Sequence, residues 1–330
     1  MKRAHVLSVV VLSGTIVAAV AQLTAQQPPA GAPPAGAPGQ GRPGGPPGGA
    51  PPGGGRGGGG VEAARKIVDN LYWVPGAGGN TAIFVTGNGV VLVDTKLANN
   101  GQAILDQVKS VTDKPVTHII NTHTHGDHNG SNVFFPATVE IVTQENTKAN
   151  MEKMPAFADA ANKHGLPDRT FKERETLLSG NDAIDLYYYG AAHTNGDAFV
   201  VFRNARVMHA GDAFANKGLP NIDGNNGGSG LAWGETIGKA SAGIKNVQTV
   251  ITGHNTMTTM TWQDFVDYGE FNRLYAQHAR ESLKAGKTPE QAAMDLKLPE
   301  KFKDYQLTGG RGGPGGNFGR LFEELKAAPK

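Results

Sequence analysis

Between residues 121 and 130 the chain reads Asn121-Thr122-His123-Thr124-His125-Gly126-Asp127-His128-Asn129-Gly130. Three imidazoles and a carboxylate within six positions can all offer lone pairs to a cation. From the chain's own composition, an H-x-H-x-D-H string arises by chance on the order of one time in two thousand. Coming off a strand, residues two apart project to the same side, so His123, His125 and Asp127 can point together. His128 faces away from them in an extended chain and joins only if the backbone turns, which Gly126 permits. Neutral nitrogens beside an anionic oxygen are what two adjacent borderline-soft cations require, in tetrahedral or five-coordinate arrangements.

One such cluster does not complete two coordination spheres. Three further candidates follow strand patterns and sit near glycine: His193 in Gly190-Ala191-Ala192-His193-Thr194-Asn195-Gly196-Asp197, Asp212 in His209-Ala210-Gly211-Asp212, and His254 in Gly253-His254-Asn255. Ligands at three strand termini would converge on one edge of a sandwich. Taken singly, each also reads as a hydrogen-bonded structural residue.

The elements that would carry these groups show in the apolar pattern. Ala82–Val85 and Val90–Val93 flank Gly87-Asn88-Gly89 and predict a β-hairpin. Leu97–Val111 places Ile104, Leu105, Val108 and Val111 at helical spacing, and Val116–Asn121 is a buried strand leading into the histidines. Further strands are expected at 139–142, 184–189, 198–202, 206–209 and 249–252, with helices at 144–154 and 233–245. Phe265, Tyr268, Phe271, Leu274 and Tyr275 mark one face of a long helix. Strand pairs followed by helices, twice over, suggest two packed sheets with helices outside.

Composition narrows the rest. With no cysteine among 330 residues, disulfides, thiolate catalysis and thiolate ligands are excluded. A formal charge of +2 implies no strong attraction to nucleic acid or acidic membranes, which leaves a small-molecule substrate as the expected partner. Met1-Lys2-Arg3, the apolar Val6–Ala21 and the small-x-small Ala19-Val20-Ala21 read as an export signal over 1–21, for a periplasmic or secreted protein without stable membrane contact after cleavage. The other reading is an uncleaved anchor, against which stands an apolar run shorter than the ~20 residues needed to span. Residues 22–60, rich in proline and glycine, read as a disordered linker. A folded domain is expected over 61–284, and a helical tail with a glycine-rich loop over 285–330. Asn216–Gly230 reads either as a mobile flap over the metals or as an ordinary surface loop.

In order along the chain, T-H-x-H-x-D-H at 122–128, H-T-x-G-D at 193–197, G-D at 211–212 and G-H at 253–254 resemble the metallo-β-lactamase fold superfamily. The resemblance runs from Leu71 to about Tyr268 and implies an α/β fold (α+β in some schemes), the αββα sandwich. It implies zinc, two ions per chain. His123, His125 and His193 resemble the ligands of the first ion and Asp127, His128 and His254 those of the second, while Asp212 resembles the bridging carboxylate. Asp94, after Val91-Leu92-Val93, resembles the family's early aspartate, which orients a ligand histidine; it reads equally as a strand-end cap. The implied chemistry is hydrolysis by a metal-bound hydroxide, its pKa drawn toward ~7, with Asp127 orienting it. Many β-lactamases of this fold carry cysteine where Asp212 stands. A bridging aspartate is typical of glyoxalase II-like thioesterases and of lactonases, so the expected substrate is an ester, thioester, lactone or β-lactam amide. The alternatives are an iron-dependent oxidoreductase of the same fold and a non-catalytic metal-binding protein. A complete second ligand set speaks against a mononuclear iron enzyme, and the absence of any lost ligand against a non-catalytic one.

Overall fold

The computed structural model describes residues 59–307 and 313–327. The expected signal, most of the linker and part of the glycine-rich stretch of the tail lie outside the described residues.

Among the described residues, thirteen strands form two sheets. The first comprises β1 (Arg65–Val68), β2 (Leu71–Val74), β3 (Thr81–Val85), β4 (Val90–Val93), β5 (Val116–Ile120), β6 (Glu140–Gln144) and β7 (Arg169–Phe171), adjacent in sequence order. β1 to β4 form an antiparallel meander, and β4 to β7 run parallel. The second contains β8 (Arg174–Leu177), β9 (Ile184–Tyr187), β10 (Phe199–Phe202), β11 (Val207–His209), β12 (Thr249–Ile251) and β13 (Met260–Thr261), in the order β13-β12-β11-β10-β9-β8. Here β11–β12 is parallel and the other four pairs are antiparallel, so β9, β11 and β12 point the same way. The helices are α1 (Gly101–Val111), α2 (Gly126–Asn129), α3 (Glu145–Met151), α4 (Gly230–Gly243), α5 (Trp262–Lys284), α6 (Pro289–Met294) and α7 (Gly313–Ala327).

The layers follow from the alternation of side chains along each strand. Val91 and Val93 of β4 face the second sheet and join Phe84, Ile120, Leu186, Val200 and Phe202 in the core between the sheets. Val90 and Leu92 point the other way, toward Ile104 and Val108 of α1. In β10, Phe199 and Val201 turn outward into a second helical layer with Trp233, Ile237, Phe265 and Phe271. Helix, sheet, sheet, helix is therefore the order of layers. Tail residues join this outer core: the Tyr275 ring lies 4.4 Å from that of Phe318, and Phe271 lies 4.8 Å from Tyr305.

The expected hairpin forms as β3–β4, paired from Ala82↔Val93 to Val85↔Val90. α1 begins at Gly101 and not at Leu97. Lys96 and Asn99 have φ of 63° and 66°, outside the helical region. The backbone here is also committed elsewhere: Leu97 N–H bonds Ala77 O, and Gly130 N–H bonds Lys96 O.

Candidate metal centre

The C-terminal ends of β4, β5, β9, β11 and β12 lead to Asp94, His123, His193, Asp212 and His254. Strands that run the same way release their following residues at one edge, as in other open α/β sheets. α2 supplies the turn that His128 requires: one helical turn from Gly126 brings its ring under His123, with centroids 4.2 Å apart.

Among the described residues, three groups have ligand atoms within 4.8 Å of one another: His123, His125 and His193; Asp127, His128 and His254; and His123, His128 and Asp212. Asp212 spans the first two. Its Oδ2 lies 3.5 Å from His193 Nε2, while Oδ1 lies 3.3 Å from His128 Nε2 and 3.2 Å from His254 Nε2. Asp127 Oδ2 closes the second set at 3.3 Å from His254 Nε2. An ion with bonds of 2.0–2.1 Å in tetrahedral geometry has donor–donor edges of about 3.3 Å. Two edges of the second set match it, His128 Nε2 to His254 Nε2 and His254 Nε2 to Asp127 Oδ2, both 3.3 Å, and the third, His128 Nε2 to Asp127 Oδ2, is 3.9 Å. In the first set, His193 Nε2 and His125 Nδ1 stand 2.7 Å apart.

Where the protons sit follows from the outer partners. His125 Nε2 is 2.6 Å from the Asp223 carboxylate, His128 Nδ1 is 2.6 Å from Asp94 Oδ2, and His193 Nδ1 meets the carbonyl of Asn221. None of these acceptors carries a hydrogen to give, so each ring is assigned its proton on the outer nitrogen and its lone pair on the inner one. Thr122 Oγ1 donates to Asp94 Oδ2 and is left to accept from His123 Nδ1, 3.0 Å away. Four of the five rings thus aim lone pairs inward. His123 Nε2 and Asp212 Oδ1 are buried with no hydrogen-bond partner, an arrangement costing about 1–3 kcal/mol per group unless something positive sits between them. The donor set fits a cation.

The electrostatics agree. Burial, with His128 beside it, holds His123 well below the ordinary imidazole range; burial brings His193 down to about 4, against the pull of Asp212. Burial opposes ionisation of Asp212, but His254 and His128 hold its carboxyl well below the usual range. His128 is driven the other way: burial would depress it, yet Asp212, Asp94 and Asp127 raise it well above the usual value. Neutral His123 and His193 and an ionised Asp212 are the forms a metal takes, whereas the proton that the three carboxylates hold on His128 is one that a bound cation would have to displace.

Asp94 serves both roles open to it. It caps Thr122 N–H with Oδ1 at 2.8 Å and orients His128 with Oδ2. Asn221 and Asp223 were not legible as parts of the centre. They lie in the Asn216–Gly230 segment, which is drawn across the first set, with Ile222 only 5% exposed. His209, also buried, stays outside: Nε2 bonds Asn80 O and Nδ1 accepts from Gly211 N–H, so both nitrogens are used by backbone.

Gly79 backs the second set. Its N–H bonds the Asp127 carbonyl at 2.8 Å, and a Cβ there would overlap the His128 ring. Gly79→Ala is expected to force His128 off Asp94 at a cost of about 1–3 kcal/mol. Denaturant melts and metal content would show it; unchanged values would mean that the backbone gives way without moving His128.

A family model described as the metallo-beta-lactamase superfamily matches residues 74–285. The uncharacterised protein YobT of Bacillus subtilis (strain 168) is 30% identical over 141 residues, 40% of this chain and 60% of that one. A metallo-beta-lactamase type 2 from Bacillus sp. (strain 170) is 23% identical over 176 residues, 53% of this chain and 66% of that one. The solved structure of the stereoselective inverting sec-alkylsulfatase Pisa1 from Pseudomonas sp. overlays on 80% of this chain and 50% of its own at TM-score 0.65 and 15% identity, a likeness of fold. This chain therefore spans less than two thirds of each of the three. The family match covers well over half of the sequence, on the strands and termini that carry the histidines and carboxylates, and the chain belongs to the metallo-beta-lactamase superfamily.

Proposed function

We propose that this chain is an exported zinc hydrolase, holding one ion in each donor set and cleaving an ester, thioester, lactone or β-lactam amide in a small molecule. The observation that carries the reading is the outward placement of the imidazole protons. Four rings held by acceptors on their outer side, with Asp212 between two sets of inner nitrogens, form a cradle for positive charge and for little else. Bound there, two zinc ions would supply Lewis acidity, polarising a carbonyl and making a water acidic near neutral pH.

The protein's own part is positioning and proton handling. Asp127 has its side chain 29% exposed beside His254 at 17%, and His125 at 26% lies on the accessible side of the other set. The mouth is therefore at these three residues, while His123, His128 and His193 are fully buried. Asp127 offers a carboxylate oxygen where solvent and substrate meet and can orient an attacking water and accept its proton. No serine or cysteine nucleophile is required. The bridging carboxylate of Asp212 favours the ester, thioester and lactone end of the substrate range.

The test is metal content of the exported form, with turnover of a chromogenic cephalosporin, a lactone, a thioester and, given the fold neighbour, a secondary alkyl sulfate. Two zincs per chain, with hydrolysis abolished by chelation and restored by zinc, are the expected result. One iron per chain, or bound zinc without turnover of any of the four, would overturn it. Cell fractionation tests the export: recovery of the full-length chain in the cytoplasm would remove that part alone.

A further inference from the structure

Residues 216–229 pass from the turn after Asp212 to the start of α4, and on the way Asn221 and Asp223 hold His193 and His125. Both ends of this strap are gripped by the C-terminal tail. At its start, Gln306 N–H bonds Lys217 O at 2.9 Å and Leu219 N–H bonds Gln306 O at 3.2 Å, a parallel bridge centred on Gly218. At its end, Glu324 of α7 accepts from Ser229 Oγ, from Gly230 N–H at 3.0 Å and from Leu231 N–H at 3.4 Å. A Cβ on Gly230 would overlap both Ile222 of the strap and Leu321 of α7, so the two pack together over that glycine. All three tail residues lie beyond position 285, where the family match ends.

We propose that the C-terminal tail is a clamp on the first donor set, with Glu324 as its principal positioning residue; this rests on the metal-hydrolase reading above. The first amides of a helix have no partner within it. A carboxylate accepting them gains from charge-assisted bonds and from the helix dipole. Ser229 uses its oxygen to cap Ala232 N–H and its hydrogen to meet Glu324, so the hydroxyl is fixed in one orientation. From Ser229 the constraint reaches the site in two short paths. Ser229 N–H bonds Ala192 O, next to His193; Gly228 N–H bonds Asp223 O, and Asp223 N–H bonds His193 O. Releasing Glu324 frees the strap that sets the proton positions of His125 and His193. The second set, built from α2, β11 and β12 ends with Asp94 behind it, has no contact with the tail in this network.

The experiment measures stepwise zinc affinities of the full chain by chelator competition, together with exchange rates of the Asp223 and Gly228 amides in metal-free protein. Glu324→Ala should weaken one zinc about 10-fold and leave the other unchanged, the lower end of what loss of a ligand's supporting partner costs. Asp223→Asn should weaken the same zinc. Glu324→Gln, which keeps the shape, should fall between, and Ser229→Ala combined with Glu324→Ala should add little to the single change. Exchange at Asp223 and Gly228 should accelerate in Glu324→Ala, whereas Glu323→Gln on the exposed side of α7 should change neither readout. Two zincs bound with wild-type affinities by Glu324→Ala, or equal loss at both, would overturn the clamp while leaving the hydrolase reading intact. No zinc binding by the wild type would overturn the hydrolase reading, and unaltered amide exchange in Glu324→Ala would then overturn the clamp separately.

Discussion

Asp212→Asn should lower hydrolysis by more than about 10²-fold and leave no more than one tightly held metal ion, because supporting partners one shell further out are already worth about 10–100-fold. The two oxygens of Asp212 serve different neighbours: Oδ2 faces His193, and Oδ1 faces His128 and His254. Asparagine preserves the volume but removes the charge, and turns an amide nitrogen toward one of the sets. Either orientation aims hydrogens at imidazole lone pairs or at the place a cation would occupy. The side chain has no room to swing aside, since its Oδ1 is packed against the α-carbon of Gly253, where even a methyl would overlap it. His254→Ala is the informative companion: it removes a donor from the second set only and should leave one ion bound at the first. Metal analysis after dialysis, with kcat/KM on the best substrate and a melt to establish folding, separates these outcomes. If Asp212→Asn keeps two ions at wild-type affinity, the carboxylate does not join the two sets.

Strand ends and glycines made the seven residues around this centre candidates, and the order of their motifs along the chain, which resembles the family's, singled them out. His128 is the clearest example: in an extended chain it points away, and only the turn allowed at Gly126 returns it. Strands buried on both faces, such as Val90–Val93, also announced themselves. β1 and β2, four residues each, were not legible as strands, and β7, β8 and β13 gave no sign either. The last three are short, and exposed positions dominate Arg169–Phe171 and Arg174–Leu177 at the sheet margins, so burial gives them no apolar signature. Residues that depend on a loop's path were equally hidden. Asp223 looks like a turn former, and it is one, since its Oδ1 accepts from Asn225 and Asn226 N–H; nothing local reveals that Oδ2 reaches His125, 98 positions away. His209 shows the converse. It sits three residues before Asp212 in a promising motif, yet the backbone consumes both of its nitrogens.

Lys96 was the least expected member of this neighbourhood, and Lys96→Met should cost about 3 kcal/mol, or roughly 6–12 °C in Tm for a domain of this size. The ammonium is fully buried and donates to the carbonyls of Val74 at 2.8 Å, Gly76 at 2.8 Å and Gly79 at 3.0 Å. It therefore ties down the 74–79 segment, whose last residue supports Asp127 and His128. Methionine fills similar space but leaves three acceptors without their donor, each worth about 1–3 kcal/mol, offset in part by relief of the buried charge. The pH dependence gives an independent check. Burial pulls the Lys96 pKa down to about 7 from 10.5, with Asp94 and then Glu62 opposing. Between those values the unfolded chain holds a proton that the native chain has released, so wild-type stability rises with pH there, by at most about 1.4 kcal/mol per unit. Below pH 7 both states are protonated, and the burial cost is fully present. Lys96→Met lacks this slope, so the stability gap between the two proteins should widen from pH 7 to 9.5 in urea melts of the metal-free forms. A gap that is constant or narrows would mean that the three carbonyls hold the ammonium at or above its unfolded pKa, with its charge intact throughout.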